Sequence, residues 1–209
     1  MGRYLGPKCR LCRREGEKLF LKGLKCFTEK CPFSKRPYPP GMHGKKQTKP
    51  SYYALQLREK QKVKRMYGMR EEQFKRFFQL AAKSKEPTGR KLLELLERRL
   101  DNVIYRALFA TSRQEARQIV RHGFVFIKDH RVNIPSYIVK EKEEIYIKAK
   151  ESVIKKIKEN IELNSKYRSI PSWLSVDKEN LKIVIERLPQ KEDLTISVNE
   201  QLIVELYSK

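Results

Sequence analysis

Acidic side chains are scarce in this 209-residue chain: 25 Asp and Glu stand against 48 Lys and Arg, a formal net charge of +23 at pH 7. Cysteine is rarer still, with four in all, every one within the first 31 residues. Histidine occurs three times and tryptophan once. No apolar run approaches the roughly 18 residues of a spanning helix, which excludes an integral helical membrane protein. The start, MGRYLGPKCRLCRREG, has no apolar core of a secretory signal, so none is expected. No fixed period marks a repeat array. Neither a Walker-type phosphate cradle nor G-x-G-x-x-G is found, and no nucleophile stands beside a histidine, so an enzyme is not expected.

What is present is cationic charge, unevenly placed. Residues 1–100 hold 28 basic and 9 acidic side chains, net +19, whereas residues 101–209 hold 20 and 16, net +4. So large a surplus repels itself in a compact state and needs a polyanion to lie against. Hydrophobic residues at 39% are too many for wholesale disorder, and the length suffices for one or two cored domains.

The cysteines read C-x2-C-x13-C-x4-C: Cys9, Cys12, Cys26 and Cys31. Two close pairs separated by a loop suit one tetrahedral structural zinc. The alternative, two disulfides, requires an oxidising compartment. Four thiolates around one zinc carry net −2, which Lys8, Arg10, Arg13 and Arg14 would offset. Four-sulfur coordination leaves no open position for chemistry.

Residues 32–50 are proline-rich and basic and are expected to form an extended loop. Ser51 is expected to cap a helix that Gly68 stops, with Tyr53, Leu57 and Val63 inward. A second helix from Arg70 buries Phe74, Phe77, Phe78 and Ala81, and a third, following a break at Pro87–Gly89, carries Leu92, Leu93, Leu96 and Leu100. Near residue 100 the pattern becomes helix, turn, helix, strands. Thr111 with Gln114, or Ser112 with Glu115, forms a capping box. On the helix that follows, Ala116, Ile119 and Val120 face inward, and Arg113, Arg117 and Arg121 form a stripe whose mutual repulsion calls for an anion. FVFIKDHRVN reads as two strands around Asp129-His130, followed by strands at 144–148 and 181–187 and a basic helix at 150–166. Ser197 and Glu200 form a final capping box before QLIVELY. The fold class expected is α+β: a mostly helical first domain with an N-terminal zinc-bound segment, and a smaller α/β module.

An arginine-bearing helix could enter a DNA groove, but charge spread over zinc segment, loop and helices suits a large irregular partner, and folded RNA fits better. The segments RYLGPK, LREKQKVKRMYG, RLDNVIYR, SRQEARQIV and NEQLIVELYSK resemble the bacterial family of small-subunit ribosomal protein four, in order and over nearly the whole chain. The full cysteine set is similar to that of the family's zinc-containing branch. The resemblance implies a cytoplasmic, structural component of the small ribosomal subunit. It implies a primary binder of 16S ribosomal RNA that nucleates assembly of the subunit body and contributes to translational accuracy. Its implied partners are 16S ribosomal RNA, small-subunit protein five and messenger RNA near the entry channel. It divides the chain into a helical RNA-binding domain at 1–98, an α/β RNA-binding module at 99–193 and a tail at 194–209 packed back on the first domain. The RNA-facing residues carried over are Arg3, Lys8, Arg13, Arg14, His43, Lys45, Tyr52, Arg58, Lys62 and Arg65, with Arg113, Arg117, Arg121, His122 and Lys128 in the module.

Overall fold

The computed structural model describes residues 4–46, 49–193 and 198–208. Two compact units divide it: residues 1–93 with 196–209, and residues 94–195. No helix among the described residues is long and apolar enough to cross a membrane.

In the first unit α1 (Lys8–Glu15) and α2 (Pro32–Lys35) flank a single 3-10 turn at Gly23–Cys26. Gly16 ends α1 in the left-handed conformation, φ 70°, where a side chain would be strained. Residues 32–46 are not an extended loop. After α2 the loop doubles back: Gly44 donates to the Gly41 carbonyl at 3.3 Å and Lys46 to that of His43 at 3.0 Å. A Cβ at Gly44 would lie 1.9 Å from the Pro39 carbonyl oxygen, so only glycine allows this return.

The next helix, α3 (Tyr52–Met66), begins as expected, the Ser51 hydroxyl accepting from the Ala54 N–H at 3.3 Å. Val63 is buried and Leu57 half-buried, but Tyr53 is exposed and Gln56 takes an inward place. The reason is local: Gln56 donates to Glu205 at 2.9 Å, so a polar side chain is satisfied there. In α4 (Glu71–Ala82) Phe74, Phe77 and Ala81 are buried and Phe78 half-buried. The next helix, α5 (Thr88–Glu97), begins at Thr88, so Gly89 belongs to it rather than to a break. Gly89 has a packing reason to lack a side chain, since a Cβ would sit 2.7 Å from the Glu200 side chain.

That glutamate opens the C-terminal helix of this unit, capped by Asn199, whose side chain accepts from Gln201 at 3.2 Å. Ser197, the cap expected from sequence, lies outside the described residues. Glu200–Tyr207 packs on α3: Ile203 is fully buried, Tyr52 donates to Glu205, and the Asn199 N–H donates to Glu59 at 2.9 Å. Tyr207 stacks on Phe78 with ring centroids 4.5 Å apart and donates to Glu71 at 3.0 Å. Glu71 also receives Lys60 at 2.6 Å and Lys64 at 2.7 Å. Burial pushes its carboxyl up, but the two ammonium groups outweigh this and hold it at about 2. One carboxylate therefore ties three helices at any ordinary pH.

The second unit has α6 (Leu100–Arg106), α7 (Arg113–Arg121), β1 (Val125–Ile127), β2 (His130–Arg131), β3 (Glu144–Ile147), α8 (Glu151–Ser165), β4 (Leu174–Asp177) and β5 (Lys182–Ile185); the tail helix of the first unit is α9 (Glu200–Tyr207). Leu100 opens α6 instead of closing α5, because the chain leaves helical geometry at Arg99. Lys128 and Asp129 both adopt positive φ, 47° and 64°, so the hairpin turn is Lys128-Asp129 and His130 already lies in β2. The strands form one antiparallel sheet in the order β2-β1-β3-β5-β4. Strand β4, absent from the sequence reading, has only Leu174 buried and a broken alternation. The core joins α6, α7 and α8 to one sheet face through Val103, Ile104, Ala116, Val120, Ile157, Ile145 and Ile183, with Trp173 beside them.

Candidate nucleic-acid interface

The cysteine segment comes first in the chain. Cys9 and Cys12 lie on α1, Cys26 ends the 3-10 turn, and Cys31 precedes α2. All four are free thiols, three of them buried. Burial pushes the Cys12 thiol up to about 11; a backbone hydrogen bond at Leu19 opposes the shift, and Cys26, Cys9 and Cys31 add to it. The four sulfurs therefore share one electrostatic neighbourhood. The Lys22 N–H donates to Cys26 Sγ at 3.3 Å, the kind of bond that favours a thiolate ligand. No group of three or more metal-binding side chains stands in coordinating arrangement among the described residues. The donor chemistry suits zinc, whereas the arrangement does not itself display a site.

Around this segment the basic residues divide into two sets. The first holds the fold. Arg13 donates from Nε to the Tyr38 carbonyl at 2.9 Å and lies over the Tyr38 ring at 5.1 Å, pinning the proline loop to α1. Lys8 donates to the Tyr4 carbonyl. Arg58 reaches Glu15 at 3.3 Å, Arg65 also pairs with Glu15, and Lys62 reaches Glu59 at 2.8 Å and Glu17 at 3.3 Å. The Glu15 side chain is 1% exposed. Its carboxyl is raised by burial against the pull of Arg65 and Arg58. The Glu15 pairs fasten α1 to α3, Lys62 adds a tie to Glu17 just past α1, and so the sequence reading of Arg58, Lys62 and Arg65 as outward contacts meets a structural duty it did not foresee. Tyr52 likewise directs its hydroxyl to Glu205.

The second set faces water. Arg14, His43 and Lys45 are exposed. With Tyr38, Lys46 and Arg58 they line an open cleft of about 1050 Å³ between the proline loop and α3. Arg3 lies outside the described residues.

In the second unit the arginine stripe of α7 is not one face. Arg121 is exposed at the helix end, but Arg117 is buried, its side chain 8% exposed and its Nη1 3.8 Å from Asp101. Arg113 donates to the Asn102 side chain at 2.8 Å and lies over the Tyr105 ring at 4.5 Å. The anion that the stripe calls for is thus internal in part. Asp101 also takes a two-pronged bond from Arg99, at 3.0 and 2.7 Å. Next to it, buried Glu97 takes the same from Arg106, at 2.8 and 2.7 Å, and one from Asn102 at 2.8 Å. The capping box is the Ser112 one, with Glu115 returning its bond to the Thr111 N–H at 2.8 Å instead of to Ser112.

Arg168, which periodicity did not single out, also lies over the Tyr105 ring, at 4.1 Å, and donates to the Ala110 carbonyl at 2.9 Å. Burial lowers its pKa; Tyr105 opposes, and Arg113 and Arg106 add to the lowering. Only its place after a helix in a turn-rich stretch could have marked it. Arg99, Arg106, Arg113, Arg117 and Arg168 against Glu97 and Asp101 leave a local cationic excess. At the sheet end His122, Lys128 and Arg131 are exposed, with Arg131 donating to the His122 carbonyl at 2.8 Å and His122 stacked on Phe124 at 5.7 Å. The candidate contacts presented to solvent are therefore Arg14, His43, Lys45, Arg121, His122 and Lys128, with the exposed Tyr52 ring.

Comparison with known proteins gives matches along the whole chain. Residues 3–97 match the family described as ribosomal protein S4/S9 N-terminal domain, and residues 98–145 match the S4 domain. The chain is 53% identical over 209 residues to small ribosomal subunit protein uS4 of Dictyoglomus turgidum, covering all of both chains. It is 52% identical over 210 residues to that of Thermus thermophilus and 54% identical over 209 residues to that of Thermodesulfovibrio yellowstonii, again covering all of both chains.

Proposed function

The chain belongs to the ribosomal protein S4 family, and from that we propose that its exposed cations hold folded small-subunit ribosomal RNA. It is a structural protein of the small ribosomal subunit that binds 16S ribosomal RNA, and it is not an enzyme. It acts in the cytoplasmic ribosome, with a role in assembly of the subunit and in the accuracy of decoding. The observation that carries this is identity above one half along the entire length of uS4 relatives. The structure supplies the physics: guanidinium and ammonium groups on two units neutralise phosphate and release its counterions. Backbone contact and shape, rather than base edges, would set its specificity.

Labelled folded 5′-domain 16S RNA, competed at fixed salt against duplex DNA of equal phosphate content, is expected to keep the protein. Preference for the duplex would reject the reading.

Finer assignments are part of the proposal. Small-subunit protein five and incoming messenger are proposed as neighbours on the strength of the sequence resemblance. Cys9, Cys12, Cys26 and Cys31 are proposed to hold one structural zinc, supported by their spacing, shared surroundings and soft sulfur donors. The metal would supply folding energy there and no catalysis. Because burial favours the protonated Cys12 thiol, loading must release protons, so zinc affinity is expected to fall as pH is lowered. Chelation, or Cys9→Ser, is expected to open the segment up to residue 45 to protease while the emission of Trp173, in the second unit, stays unchanged. Native mass spectrometry showing no zinc and two disulfides would defeat the assignment.

A further inference from the structure

The second unit buries one face of its sheet and leaves the other to solvent. Val125, Ile127, Ile145, Ile147, Ile183 and Ile185 point into the core. Their alternate neighbours point away. The register aligns these outward residues into a row across the sheet: Arg131 opposite Phe126, Phe126 opposite Tyr146, Tyr146 opposite Lys182. Two aromatic rings thus stand side by side at the centre of an open sheet face, flanked in the same row by two cations.

An outward face of an antiparallel sheet needs no aromatic residue, and polar ones are the rule there. Both rings are half-buried. What covers them is ammonium: Lys148 lies 5.2 Å from the centroid of Phe126, and Lys182 5.4 Å from that of Tyr146. Lys148 is tied to Asp129 at 3.5 Å, with both side chains largely exposed, a pairing worth little. Lys182 pairs with Glu144 at 2.9 Å on the surface. Exposed Lys128 and Lys142 border the same face, beside a shallow hollow of about 380 Å³ that Tyr146 and Lys148 also line.

We infer that this sheet face is a stacking platform for unpaired bases of a single-stranded RNA segment. Flexible lysines lying over rings can swing to neighbouring phosphates, which exposes the π faces when a strand arrives. Bases then stack on Phe126 and Tyr146 while Lys128, Lys142, Lys148 and Arg131 follow the backbone. Charge complementarity selects the occupant: Arg131, Lys128, Lys142, Lys148 and Lys182 outnumber Asp129, Glu144 and Asp177 around the two rings, five cations to three acids, which favours a polyanion. The inference rests on the RNA-binding reading and extends it from folded to unstacked RNA.

The test uses the full chain and a labelled, unstructured ten-nucleotide RNA at one fixed salt concentration, with the folded 16S fragment as a second readout. Phe126→Ala and Tyr146→Ala are each expected to weaken the oligonucleotide about tenfold, the size of one lost base stack. Tyr146→Phe keeps the ring and is expected to bind as the unaltered chain does. Trp173 emission checks folding, and the folded fragment should be bound within about twofold throughout. Oligonucleotide affinity untouched by both alanine variants would overturn the platform, and so would an equal loss for both RNAs, which would place the rings in the folded-RNA interface. Failure of the unaltered chain to bind the folded fragment, with the oligonucleotide still held, would reject the earlier reading and leave this one standing.

Discussion

Replacing Asp101 with alanine is expected to destabilise the second unit by about 3–5 kcal/mol. Arg99 is the reason. Its side chain is 0% exposed and is held by both oxygens of Asp101. Arg117 leans on the same carboxylate. Removing the anion leaves buried cations that cannot reach water without opening the junction of α6 and α7. Domains of this size are stable by only about 5–15 kcal/mol, so the loss is a large part of the whole. Trp173, the only tryptophan, is fully buried in this unit, so its emission during urea unfolding reports the unit alone. A shift below about 1 kcal/mol would show that the pair is solvated after all. The double change Arg99→Met with Asp101→Leu removes both charges together and is expected to recover most of the loss.

The same carboxylate changes what Arg117 means. From sequence alone, Arg117→Glu should weaken RNA binding and leave folding intact, because a stripe of arginines at i, i+4 and i+8 reads as one outward face. In the structure the substitution sets a second carboxylate against Asp101 in a buried place. Stability and RNA affinity are therefore expected to fall together. Periodicity places a residue on a helix face, but it cannot say whether an acid from the preceding helix lies opposite. For the same reason Arg58 and Arg65 read as free cations until Glu15 is found between them. Helices with strong apolar spacing were legible: α4 through Phe74, Phe77 and Ala81, and α7 through Ala116, Ile119 and Val120. So were the strands that alternate, β3 and β5. Strand β4 was not, since LSVD buries only its leucine and gains its order from pairing with β5. The proline loop differs from the extended course that composition suggests, because Pro39, Gly41 and Gly44 permit a return.

Arg121→Glu with Lys128→Glu is expected to lower affinity for folded 16S RNA by two orders of magnitude or more at low salt, with little change in stability. Both residues are exposed, Arg121 at the end of α7 and Lys128 in the hairpin turn. Each reversal removes a released counterion and adds a repelled charge. The salt dependence separates this from a folding defect. For the unaltered chain, the logarithm of affinity should fall with that of salt concentration with a slope on the order of five to ten. The double variant should flatten it by about two, one for each lost phosphate contact. A Trp173 unfolding transition within about 0.5 kcal/mol of the parent is required for the comparison, in line with ordinary surface substitutions. An unchanged slope would mean that phosphate lies elsewhere, and the cleft bordered by Arg14, His43 and Lys45 would then carry the contact in the first unit instead. Arg14→Glu gives that alternative its own measurement, because Arg14 is exposed and lies on α1, in the other unit.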